Sequence, residues 1–228
     1  MKQKFLLLFL SISTSVFAQT KENKNNWIIK GNVTSLIDIF TFPTVQLSIE
    51  KKISAYFSLT AEAGLQLYDV RHADTNYLNS QGFKVNVECR FYFSSFYHPE
   101  LTGKTEGFYL GLQPFYRQNQ YTAGISYHTK LDSVNWQKDE LGVKNTTFGL
   151  NCLLGYQEPL SNRLVLDMYV GFGIMKRIVT NTDRQFNRDS GDYLAGTDLV
   201  PLFESLNLSE SSGRSGNFLL GFRIGYKL

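Results

Sequence analysis

Glu88 and Arg90 stand two residues apart in V-E-C-R-F (87–91), the spacing that puts two side chains on one face of an extended strand. Glu62 lies in an earlier run of the same kind, and Asp167 and Arg223 in later ones. Gathered together, these five side chains could make a carboxylate dyad, a path for ions or a structural charge network. The network is the expected role, because an enclosed charge is costly until it is paired. Other constellations are weaker. His72, His98 and His128 fall in or beside connections and share no metal-ligand spacing, and the chain holds no H-E-x-x-H, C-x-x-C or G-x-S-x-G. Ser126 and His128 in S-Y-H (126–128) could share one face of a strand, as a lipid-acting enzyme would need, but a Ser-His pair means catalysis only when its geometry is shown. The expectation is therefore no catalytic residue, no metal and no cofactor.

The elements that must position these charges are strands. Alternation with a period of two marks eight candidates, at 27–37, 43–51, 55–68, 82–93, 107–117, 146–156, 163–176 and 217–228. In 82–93, Phe83, Val85, Val87, Cys89, Phe91 and Phe93 oppose Lys84, Asn86, Glu88, Arg90 and Tyr92. Pro114 has no amide donor, so the fifth strand is expected to be irregular there. These runs exceed the usual 5–6 residues of a soluble strand and suit the roughly 9–11 that a tilted membrane strand needs. The connections alternate in length: 118–145 and 177–216 are expected to be long loops at one end, with the turns 52–54 and 157–162 at the other. That asymmetry is the pattern of a bacterial outer-membrane barrel. The medium connection 94–106 falls on the short-turn side, against the pattern.

The faces settle the rest of the expectation. One face offers Lys30, Glu50, Glu62, Lys84, Glu88, Arg90, Asp167, Arg223 and Lys227, separated by small and amide residues. The other is almost wholly Leu, Val, Ile, Phe, Met and Ala. Trp27, Tyr56, Tyr68, Phe91, Tyr92, Phe93, Phe108, Tyr116, Tyr156 and Tyr226 gather near strand ends, as interfacial girdles do. An eight-stranded lumen is just wide enough for side chains to fill, so the polar face is placed inside and the apolar face against lipid. Cys89 and Cys152 belong to the apolar face of separate strands with one strand between them, so no disulfide is expected.

Residues 1–18 read as a secretory signal, with Lys2 and Lys4, the apolar run 5–10 and V-F-A before the cleavage point. Residues 19–228 would form the barrel domain. Without Lys2 and Lys4 the 23 basic residues become 21, against 20 acidic ones, a balance that argues against a nucleic-acid partner. In 198–206, Leu199, Leu202, Phe203 and Leu206 have helical spacing behind Asp198, which predicts a short helix over the barrel mouth.

The pieces E-G-F-Y-L-G-L-Q-P-F-Y (106–116), L-G-Y-Q (154–157) and R-L-V-L-D-M-Y-V-G-F-G (163–173) resemble a family of small bacterial outer-membrane barrels of unknown function. The end G-F-R-I-G-Y-K-L resembles the terminal strand that the barrel-assembly machinery recognises, although members commonly end in an aromatic and this chain ends in Leu228. The resemblance implies a fold and a compartment, and no catalytic residue. The expectation is thus an all-β, eight-stranded antiparallel up-and-down transmembrane β-barrel in the cell outer membrane. It would be non-enzymatic, with a filled polar lumen and a structural or surface-interaction role. Its partners would be outer-membrane lipid, the assembly machinery and a partner at the extracellular loops. A lipid-modifying outer-membrane enzyme and a soluble lipocalin-like carrier are the alternatives.

Overall fold

The computed structural model describes residues 27–38, 41–66, 77–194 and 210–228. The signal expected at 1–18, His72 and the helix expected at 198–206 lie outside the described residues. The strands are β1 (Trp27–Asn32), β2 (Val45–Lys52), β3 (Phe57–Leu65), β4 (Tyr77–Tyr92), β5 (Gly107–Thr129), β6 (Asp132–Pro159), β7 (Leu164–Thr182), β8 (Tyr193–Leu194) and β9 (Ser211–Lys227). Consecutive strands from β1 to β7 pair antiparallel, β7 pairs with β9, and β9 returns to β1. The ring therefore closes on eight strands in up-and-down order. β8 is a two-residue addition beside Tyr127 and His128 of β5.

Closure follows from the alternation. β3 exposes every odd residue from Phe57 to Leu65 and buries every even one. Ser58, Thr60 and Glu62 thereby face inward, while Leu59, Ala61 and Ala63 face out. At one end the strands join through short turns, where Leu164 accepts from the Leu160 and Ser161 amides and Phe57 from those of Ile53 and Ser54. Pro114 leaves a mark, as expected. The β4 ladder has no pairs at Val87 and Glu88, opposite Pro114 and Gln113, yet the register is the same on both sides of the gap and β5 continues.

At the other end, the expected long loop 118–145 is instead strand. β5 and β6 extend as a paired hairpin that turns between Thr129 and Asp132. The reason lies in an inversion of polarity. Within the apolar band, at 108–116 of β5 and 148–156 of β6, the outward residues are apolar, and the inward ones are polar or small apart from Phe115 and Leu153. Beyond it the roles exchange. Gln118, Gln120, Thr146 and Lys144 point outward, while Tyr121, Ala123, Leu141, Val143 and Val179 pack together inside. A search for apolar residues on one constant face reads the inverted part as a loop.

Inside the barrel, bulky and small residues alternate across the strands. Tyr109, Gly155, Tyr169 and Gly221 are successive cross-strand partners on β5, β6, β7 and β9. A Cβ added at Gly155 would meet the Tyr109 ring, and one at Gly221 the Tyr169 ring. Gly155→Val is expected to cost about 1–3 kcal/mol through overpacking, read as a lower urea midpoint with the ring fold retained.

Candidate functional site: a charged network inside the barrel

Every strand of the ring contributes a side chain to one buried cluster. Asp167 on β7 is its centre. Its carboxylate accepts from the Lys30 ammonium at 2.8 Å and the Tyr109 hydroxyl at 2.7 Å. It also lies 2.9 Å from Arg90 and 3.4 Å from Arg223. Glu50 on β2 sits 2.6 Å from Lys30 and accepts from the Tyr92 hydroxyl at 2.7 Å and from Ser58. Glu88 approaches Arg90 at 2.7 Å and Arg223 at 3.4 Å, while Glu62 holds Arg223 Nε at 2.7 Å. Gln157 accepts from Lys30 and Arg90. Lys30 thus has three acceptors for its three ammonium protons.

The charges are also enclosed by rings. The Arg90 guanidinium lies 4.3 Å from the Tyr109 ring centroid and the Arg223 guanidinium 4.1 Å from that of Tyr169. These are the same tyrosines seated on glycine neighbours, so the Tyr-Gly alternation makes the space in which the arginines lie. The side chains of Lys30, Glu50, Glu88, Arg90, Asp167 and Arg223 are 0% exposed. Above this layer runs a chain of amides, from Asn217 to Asn151, Asn151 to Gln113 and Gln113 to Asn86.

All five residues singled out from the sequence, Glu62, Glu88, Arg90, Asp167 and Arg223, lie in this cluster. Lys30 and Glu50 join them. Alternation puts both on the polar face, but only cross-barrel proximity makes them members. Tyr109, Tyr169 and Gln157 escape a reading of the sequence because no charge advertises them; the available signal is their shared parity with Asp167 or with the inward glycines. Tyr92 is a correction. Its place is not the expected interfacial girdle: it is 1% exposed and inside, since it shares the parity of Glu88 and Arg90. Lys84 and Lys227 point inward at opposite ends, paired with Asp38 and Glu106, each at 2.8 Å.

The connection 94–106 gains a role from this geometry. Its Thr105 carbonyl accepts from the Gln157 amide at 2.6 Å, and Glu106 reaches Lys227. A segment that needs to supply an interior acceptor is longer than a tight turn. Ser126 and His128 form no hydrogen bond with each other. His128 Nδ1 faces the Asn135 carbonyl at 3.1 Å, and its ring lies against Trp136. Cys89 and Cys152 are free and exposed, flanking Leu112 in one outward row.

A family model described as a protein of unknown function (DUF3575) matches residues 4–193. The chain belongs to this family. DUF3575 carries no activity in its description, so geometry alone defines the site. No curated protein matches. A major outer membrane protein from Thermus thermophilus is 14% identical, with 90% of this chain and 99% of that chain covered at a TM-score of 0.45. A likeness that distant assigns no function to this DUF3575 member.

Proposed function

We propose that this protein is an integral outer-membrane barrel, non-enzymatic, with a closed lumen, and that it holds the β5–β6 hairpin and neighbouring loops at the cell surface. The observation that carries this reading is the polarity inversion along β5, β6 and β7. A wall that is apolar outside over the length of β3, 9 residues, and polar outside beyond it suits a lipid layer followed by water. The length agrees with the roughly 9–11 residues of a tilted membrane strand. Exposed Phe57, Phe108 and Tyr226 mark one edge of the band, and Tyr116 and Phe148 the other, as interfacial girdles do. A soluble lipocalin-like carrier would place its apolar face inward throughout.

The closed lumen is supported by seven interlocked charges, none more than 3% exposed to meet a substrate or an ion. Three cations against four carboxylates, each with partners of opposite sign, are a lock between strands. Three experiments test the reading on purified, refolded protein. Unheated and boiled samples are expected to migrate differently on a gel, and the folded protein to float with lipid vesicles. In a planar bilayer it is expected to show no steady conductance. A conductance that Arg90→Gln abolishes without loss of folding would make the barrel a channel and overturn the closed-lumen reading.

A further inference from the structure

Lys176 on β7 and Arg214 on β9 are direct cross-strand partners, both exposed and both on the outward face. Like charges placed opposite one another destabilise a sheet. Neither has an ion-pair partner among the described residues. The outward neighbour across β6 is Phe148, which pairs with Lys176. The next row toward the short-turn end is Leu150, Ile174 and Gly216, followed by Cys152, Phe172 and Phe218. In the opposite direction it is Thr146, Ile178 and Ser212. On the same side of the chain beyond Ser212, Glu210 accepts from the Asn181 amide. The two cations therefore stand side by side at the boundary where the outward face changes from apolar to polar.

That position has a chemical meaning if the apolar band lies in lipid, the reading on which this inference rests. At the boundary of the hydrocarbon layer, the groups available to a pair of cations are headgroup phosphates. We propose that Lys176 and Arg214 form a binding site for the phosphate of an anionic lipid headgroup, with Phe172, Ile174 and Phe218 against its acyl chains. A guanidinium offers a planar fork to two phosphate oxygens, and an ammonium beside it adds a point charge. One phosphate seated between them turns a repulsive cross-strand pair into a bridge. The aromatic pair Phe172 and Phe218, with ring centroids 5.0 Å apart, lies directly below and gives the chains a fixed apolar surface.

The test compares wild type with Lys176→Gln/Arg214→Gln. A second double variant, Lys130→Gln/Lys138→Gln, makes the same charge change near the tip of the hairpin. Flotation with phosphatidylcholine vesicles is measured first for all three. Native mass spectrometry of the folded proteins then counts lipid adducts with phosphatidylglycerol or phosphatidylcholine, with and without added inorganic phosphate. Wild type and the tip variant are expected to prefer phosphatidylglycerol, and the rim variant to lose about tenfold or more of that preference. Inorganic phosphate is expected to leave the adducts unchanged. An unaltered preference in the rim variant overturns the site, and displacement of the lipid by inorganic phosphate makes it a free-phosphate site. Failure of wild type to float overturns the membrane reading itself, a different outcome from loss of lipid preference in a protein that floats.

Discussion

Replacing Asp167 by alanine is expected to destabilise the folded barrel by about 3–5 kcal/mol, the cost of leaving buried charge without its partner. The change strands Lys30, Arg90 and Arg223 around one vacated position and removes the acceptor of the Tyr109 hydroxyl. Glu50 and Glu88 still neutralise part of the charge, so folding should weaken rather than fail. A matched removal behaves differently. Glu62→Leu with Arg223→Met deletes a pair joined at 2.7 Å, and apolar replacement of an ion pair is often neutral or stabilising. Urea unfolding in lipid vesicles measures both. If the single and paired variants lose equal stability, the cluster is not an interdependent charge network.

The second large effect belongs to the opposite face. Val170→Arg is expected to cost about 2–4 kcal/mol, the penalty for arginine on the lipid side near the midplane. Val170 lies between Leu154 and Leu220 in an outward row, near the middle of the apolar positions of β7. Its chain neighbour Gly171 faces inward, close to Leu153 and Leu219. Gly171→Val should therefore fail through crowding, with little dependence on lipid. The same urea experiment in vesicles of thinner and thicker hydrocarbon separates the two. Val170→Arg should be less damaging in the thin bilayer, where a long side chain reaches the interface, and Gly171→Val should not change.

The parity of each strand is legible in the sequence because one residue is enough to flip a face. Parity alone places Glu62, Glu88, Arg90, Asp167 and Arg223 inside. What stays hidden is proximity across the barrel. Lys30 lies 137 positions from Asp167 in the chain, and only closure of the ring brings them together. The extent of β5 and β6 stays hidden for another reason. Beyond Arg117 the apolar residues change sides, so Tyr121, Ala123 and Ile125 continue the inward parity of Tyr109 and Gln113 with opposite polarity. A period of two is still present there, but the expectation of a constant apolar face conceals it. Tyr92 is misplaced when its aromatic type outweighs its parity, and the Glu50 carboxylate that holds it comes from β2.

The two cysteines give the most direct test of the outward lipid face. Cys89 and Cys152 are the chain's only thiols. Both are on the outside of the barrel among Val87, Phe91, Leu150 and Leu154, in the same row about Leu112. The protein is folded into phosphatidylcholine vesicles and treated with a charged, membrane-impermeant maleimide, before and after unfolding in urea. Neither thiol is expected to be labelled in the folded protein, and both are expected to be labelled after unfolding. Rapid labelling of Cys89 and Cys152 in the folded, vesicle-bound protein would place that face in water and overturn the membrane-spanning barrel.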